Sequence, residues 1–149
     1  MTPLPVPDRD SLAWWEALSR HQLLVQRCVS CARLRWPPRA ICGACASFEW
    51  AWEATSGRAK VVSWIVNHHP FGEGVPLPYV VVTARLDDQD DILIPGGYSG
   101  PPDGDGLAIG ATLTVEYEDV EVEDGRTGTL LRWRPLESVP PRQRPAEAG

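Results

Sequence analysis

The sequence predicts a mainly β protein: an N-terminal helix, a small cysteine-held ribbon, then a five-stranded barrel. Three observations predict it. All four cysteines fall between residues 28 and 45, as two Cys-x-x-Cys pairs. Beyond Ser56-Gly57 the chain becomes runs of β-branched residues separated by Gly, Pro and Asp. The 15 prolines and 13 glycines among 149 residues argue for many turns and against a helical bundle.

The elements follow in order. Residues 1–7 alternate Pro with apolar residues and read as an extended arm. Asp8 or Asp10 caps a helix running to about Arg20. Within it Leu12, Trp15 and Leu18 form one apolar stripe, with Trp14 beside them. Leu23–Arg27 reads as a strand leading into the first cysteine pair. Leu34–Trp36 is a short strand stopped by Pro37-Pro38, and Phe48–Ala54 alternates with Phe48, Trp50 and Trp52 on one face. The β part holds Lys60–His68, Tyr79–Leu86, a strand beginning at Ile92–Pro95, Ala111–Val122 and Thr127–Arg134. Gly96-Gly97 and Gly104/Gly106 read as turn glycines, and Asp87–Asp91 as an acidic turn. Five strands with a long connection between the third and fourth suit a Greek-key barrel such as the OB-fold. An SH3-like barrel or a small sandwich fits the same pattern. The organisation is therefore arm and helix 1–22, ribbon 23–55, barrel 56–137 and a disordered tail 138–149.

Cys28, Cys31, Cys42 and Cys45 carry the strongest signal. Two Cys-x-x-Cys turns face to face offer four thiolates in a tetrahedron, the donor set of structural Zn²⁺. Gly43 is expected to supply backbone freedom in the second turn, and the small Ala32, Ala46 and Ser47 to bring amides close to the sulfurs. Two disulfides, a redox Cys-x-x-Cys and a rubredoxin-like iron site are the alternatives. The missing export signal and the missing βαβ pattern argue against the first two. With four protein ligands the site has no open position for catalysis.

Charge and motifs narrow the function. The net charge is −6, but residues 1–60 hold eight basic and five acidic side chains, and 61–149 hold six and fifteen. An acidic barrel repels a nucleic-acid backbone, so no nucleic-acid partner is expected. No apolar run is long enough to span a membrane and no secretory signal is visible, so a cytoplasmic protein is expected. From Arg20 to Arg39 lie five arginines and no acid. Such a patch can hold a small polyanion or an acidic face of a partner. There is no Walker loop and no G-x-S-x-G. His68 and His69 are the one polar pair with catalytic potential, and the plainer reading leaves them in solvent at a strand end.

These residues together resemble a known family. The helix with paired aromatics is followed by Leu24-x-Gln26-x-Cys28-x2-Cys31, then Arg35-Trp36-Pro37-Pro38-Arg39 and Cys42-x2-Cys45. Trp50, Ser56-Gly57-x2-Lys60-Val61, Pro78-Tyr79-Val80 and Trp133-Arg134-Pro135 complete the order. The arrangement resembles the DUF35 family, zinc-ribbon plus OB-fold proteins associated with acyl-CoA enzymes, over about residues 5–136. Ala32 stands where glycine is frequent, Trp36 where Phe is usual, and Ile94–Tyr98 is an unfamiliar variant. The resemblance implies a non-catalytic accessory subunit of a hetero-oligomer. Its partner would be a thiolase-fold enzyme or aldolase, or a MaoC-like enoyl-CoA hydratase of the hot-dog fold. Steroid side-chain retro-aldol cleavage and β-oxidation are the reactions implied. In that frame Trp14, Trp15, Trp36 and Trp50 are docking candidates, and Arg33, Arg35 and Arg39 are candidates for CoA phosphates. The loop with His68, His69, Phe71 and Pro76 is a candidate wall of the substrate entrance. Acyl-CoA would be a ligand shared with the partner. The rival classes are an OB-fold nucleic-acid module and an enzyme acting alone through His68 or His69.

Overall fold

The computed structural model describes residues 4–121 and 124–136; the expected tail, 138–149, lies outside them. The elements are α1 (Leu12–Ser19), β1 (Leu24–Cys28), β2 (Leu34–Arg35), β3 (Trp50–Ala54), β4 (Arg58–Asn67), β5 (Tyr79–Leu86), β6 (Leu93–Tyr98), β7 (Thr112–Glu121) and β8 (Thr127–Pro135).

Helix α1 departs from its expected cap and face. Ser11 occupies the N-cap, and Asp8 acts one turn earlier. The Asp8 carboxylate accepts the Ser11 N–H at 2.7 Å, and Ser11 Oγ accepts the Asp8 N–H at 3.1 Å. The buried face is Trp14, Ala17 and Leu18, while Leu12 is half exposed. The small Ala17 lets the helix approach β1 and β8, so the buried stripe centres there and not on Leu12 and Trp15. After the helix His21 takes φ +56°. Its Nε2 lies 3.0 and 3.1 Å from the two Asp119 oxygens, and its ring stacks on Tyr117 at 5.0 Å.

The ribbon is a three-stranded antiparallel sheet in the order β2-β1-β3. The second sheet is a closed barrel, β4-β5-β6-β8-β7, shut by β4 against β7. Only β6 and β8 run parallel, pairing Gly97 with Arg132 and Tyr98 with Trp133. An irregularity between Val61 and Ser63 bends β4, and the strand serves both its neighbours. This is the five-stranded OB-fold barrel. Trp133 is fully buried at its centre, and its Nε1–H bonds the Ile94 carbonyl at 3.1 Å.

Gly96 and Gly97 correct the sequence reading, because both lie inside β6 and not in a turn. A Cβ on Gly96 would stand 2.7 Å from Leu131 and 2.9 Å from Trp133 side-chain atoms. Gly96 lets the central tryptophan in, and Gly97 leaves room for the Arg132 guanidinium, whose Nη1 would stand 2.8 Å from a Cβ there.

The acidic turn between β5 and β6 ties barrel to ribbon. Gln89 Oε1 accepts the Leu34 N–H at 2.9 Å, and Gln89 Nε2 donates to the Leu34 carbonyl at 2.7 Å. One side-chain amide thus imitates a rung of the ladder on the free edge of β2. Asp91 pairs with Arg33, and Asp88 accepts both the N–H and the hydroxyl of Ser56, at 3.0 and 2.8 Å. Arg33 first, then Gln89, holds the Asp91 carboxyl below the usual carboxylate range.

Two outcomes are expected. Gln89→Ala removes two hydrogen bonds to backbone and should lower stability by about 1–2 kcal/mol in urea unfolding of the zinc-loaded protein. Asp91→Asn tests the ion pair. A carboxyl depressed in the folded state stabilises it above the unfolded value of about 3.9, and that contribution fades as pH falls through the lower folded value. Asp91→Asn should therefore be less stable than the native chain at pH 6, with the gap narrowing as pH falls below the unfolded value of about 3.9.

Candidate metal centre and the basic cavity beside it

The two cysteine turns are built alike. The Cys28 carbonyl accepts the Ala32 N–H, and the Cys28 N–H donates to the Arg33 carbonyl, both at 2.9 Å. Cys42 repeats this with Ala46 and Ser47, again at 2.9 Å. Each turn passes through a left-handed residue, Ala32 at φ +63° and Ala46 at φ +61°. The backbone demand thus falls on the residue after each second cysteine. Gly43, expected to meet it, has no left-handed φ. An alanine in that conformation costs on the order of 1 kcal/mol over glycine, which the sulfur cluster holds in place.

The four sulfurs lie within 4.8 Å of one another. Cys28 Sγ is 3.5 Å from Cys45 Sγ, and Cys31 Sγ is 3.8 Å from Cys42 Sγ. A tetrahedral zinc with bonds of about 2.3 Å spaces its sulfurs by about 3.8 Å. A disulfide needs about 2.05 Å, and all four cysteines are free. The backbone prepares the thiolates. The Cys31 N–H draws the Cys28 thiol down, and the Cys45 and Ala44 amides draw Cys42 down to about 6. Cys45 is drawn down by the Ser47 amide, but its sulfur neighbours and burial outweigh this and push it up to about 12. Four crowded thiols do not all ionise unaided, and a divalent cation resolves the conflict. The donor set fits structural zinc and fills its coordination. Its role is to hold two turns that share little apolar core.

Beside the centre lies a cavity of about 350 Å³ lined by Arg33, Arg35, Trp36, Arg39, Cys42 and Asp91, among others. Arg35 is only 7% exposed. Its Nε donates to Gln26 Oε1 at 2.8 Å and its Nη2 to the Arg39 carbonyl at 2.8 Å, while its Cζ stands 5.9 Å from the Trp50 ring centre. Arg35 Nη1 and Trp36 Nε1 are buried with no partner among the described residues. Arg33 is engaged by Asp91, and Arg39 is exposed at the mouth.

The remaining candidates are scattered. Trp14 is buried against Trp15 and Trp36, with ring centres 4.7 and 5.8 Å away, and offers no free face. Trp15, Trp36 and Trp50 keep partial exposure. His68, His69, Phe71 and Pro76 are exposed, with His69 edge-on to Phe71 at 5.3 Å. They lie in the connection between β4 and β5, and none of them lines the basic cavity. The fold does not bring that loop to the basic cavity. Gln26 stands in the sequence only as part of the family pattern, and Gln89 and the His21–Asp119–Thr129 chain carry no local signal there. A glutamine amid apolar strand residues was the available signal for Gln26. Asp119 sits between imidazole and hydroxyl, taking the Thr129 Oγ–H at 2.7 Å, so the threonine is not aimed at the histidine as a nucleophile would be.

Metal removal should show the centre's role. The native chain is expected to hold one zinc by elemental analysis, and Cys42→Ser to hold none. Chelation should lower hydrogen-exchange protection most at the turn amides of Cys28, Ala32, Cys42 and Ala46, while the closed barrel stays protected.

Residues 15–51 match the family described as ChsH2, rubredoxin-like zinc ribbon domain, and residues 52–118 match ChsH2, C-terminal OB-fold domain. A solved chain, "Ltp2-ChsH2(DUF35) aldolase", is 32% identical with a TM-score of 0.79, over 90% of this chain and 100% of that one. A DUF35 protein of unknown function from Sulfolobus solfataricus shares the fold at 15% identity and a TM-score of 0.59, over 85% of each chain. A probable enoyl-CoA hydratase alpha subunit from Thermomonospora curvata is 39% identical over 83% of this chain and 38% of its own length. The 3-oxo-4,17-pregnadiene-20-carboxyl-CoA hydratase alpha subunit of Mycobacterium tuberculosis is 28% identical over 89% and 40% respectively. The chain thus spans about two fifths of the curated relatives it matches. With four sulfurs at zinc spacing, a closed OB barrel and these likenesses, the chain belongs to the DUF35 family, as a ChsH2-type zinc-ribbon and OB-fold protein.

Proposed function

We propose that this chain is a non-catalytic accessory subunit that docks on a thiolase-fold partner and helps form that partner's acyl-CoA site. Retro-aldol cleavage of a steroid side chain is the favoured reaction, with β-oxidation beside it. The observation that carries this reading is the likeness to the whole ChsH2(DUF35) chain of an aldolase. The two hydratase alpha subunits favour a second partner class, a MaoC-like enoyl-CoA hydratase. In either case the reacting groups belong to the partner, in keeping with the lack of an aimed nucleophile–base pair at His21, Asp119 and Thr129.

The physical basis of docking is exposed aromatic surface. Trp15 lines a groove of about 360 Å³ with Leu4, Leu12 and residues 126–129. Trp50 packs edge-on to Trp52 at 5.1 Å on β3, an edge strand paired only with β1. Large, stiff aromatics of this kind dominate interface energies. The His68–Pro78 loop, exposed at Phe71 and Pro76, would shape the substrate entrance.

The test is affinity capture of the tagged chain from its native lysate, with mass determination of the complex. A thiolase-fold or hydratase-fold protein held in fixed ratio is expected, and Trp15→Ala or Trp50→Ala should weaken the complex by about tenfold or more. Shortening the loop should lower turnover of the complex without dissolving it. A chain that stays alone and turns over acyl-CoA by itself, with activity lost on changing His68 or His69, would overturn the proposal.

A further inference from the structure

Arg35 poses a charge problem that the chain does not solve. Its guanidinium is more than nine-tenths buried, yet its hydrogen-bond partners are neutral, the Gln26 amide oxygen and the Arg39 carbonyl. No carboxylate lies within ion-pair distance of it among the described residues. Buried cations ordinarily carry a counter-charge, because desolvating a charge without one is strongly unfavourable. Two buried donors, Arg35 Nη1 and Trp36 Nε1, also lack acceptors, and both residues line the 350 Å³ cavity.

The neighbouring arginines divide in role. Arg33 is held by Asp91 first and feels the Cys31 and Cys42 sulfurs as well, so its charge is already answered. Arg39 also lines the cavity, and its guanidinium has no acidic partner among the described residues. Arg35, buried without a carboxylate, and Arg39, exposed to solvent, therefore line one concave site.

We propose that this cavity binds a phosphate group, with Arg35 and the Trp36 indole N–H as inner donors and Arg39 at the mouth. Two cations match a phosphate dianion better than a singly charged carboxylate, and the planar guanidinium suits its oxygens. A concave site favours a small anion over a flat acidic protein face. The phosphate can come from the nucleotide end of a CoA thioester, which rests on the accessory-subunit reading, or from free inorganic phosphate, which does not.

The test titrates the zinc-loaded full chain with pyrophosphate, adenosine 3′,5′-bisphosphate and acetate, following the Trp36 indole and Arg35 Nε–H resonances. Saturable shifts with a phosphate compound, and none with acetate, are expected. Arg39→Ala, a change at the exposed mouth, should weaken binding about tenfold, and Arg35→Lys more. Binding of pyrophosphate marks a general phosphate site, and binding of the bisphosphate alone marks a nucleotide source. No saturation below about 10 mM, equal shifts with acetate, or binding unchanged by Arg39→Ala would overturn the proposal. Those results leave the captured complex untouched, so the two readings fail separately.

Discussion

The ribbon depends on four sulfurs being held within 4.8 Å of one another. Its strands have five, two and five residues, too little for an apolar core of their own. Val29, Ile41 and Phe48 face solvent, and the buried members of the sheet include Gln26 and Arg35. Leu23, Val25 and Leu34 join the barrel's apolar cluster, but the cysteine turns beyond them, with Val29 and Ile41 exposed, have no such support. The closing term is metal–thiolate bonding, which makes binding free energy into folding free energy. The left-handed Ala32 and Ala46 follow from the same constraint, since they aim amides and sulfurs inward at a conformational cost that the cluster sustains.

Once the turns are closed, the ribbon still has to be aimed. The β5–β6 turn does this with groups that look ordinary in sequence. Gln89 completes the exposed edge of β2 as a strand would, which also removes an open ladder edge. Asp88 fixes Ser56 at the junction, and Asp91 anchors Arg33 beside the second cysteine pair. The cysteine centre and the barrel are thus mechanically one piece through a turn of five residues, with His21 and Asp119 making a second tie from the helix end.

The cysteine spacing, the β-branched runs and the barrel class were legible because each is a local pattern with one cheap physical solution. What stayed hidden depends on residues distant in sequence. Gln89 and Leu34 are 55 positions apart, and no periodicity links them. Gly96 reads as a turn until Trp133, 37 positions on, is seen to need its space. The choice between Trp14 and Trp15 as the buried indole turned on Ala17, whose small side chain decides how closely the helix can sit. Arg33, Arg35 and Arg39 look alike in sequence, yet one is paired, one buried and one free.

That last distinction changes how the charge asymmetry is understood. The basic run from Arg20 to Arg39 is not a broad polyanion surface. Arg27 is paired with Glu53 at 2.6 Å, Arg33 with Asp91, and Arg20 caps the C-terminus of α1, where the helix dipole favours a cation. Part of the barrel's excess acid is used in the same way, in Asp91 on Arg33 and Asp87 on Lys60 at 3.6 Å. Arg33–Asp91 joins ribbon to barrel, whereas Arg27–Glu53 lies within the ribbon and Lys60–Asp87 within the barrel. The unneutralised cations that remain, Arg35 and Arg39, converge on one cavity beside the metal centre. The exposed loop between β4 and β5 contributes no residue to that cavity. The basic cavity and the His68–Pro78 loop are therefore two separate surfaces, and the charge asymmetry of the sequence belongs to the first alone.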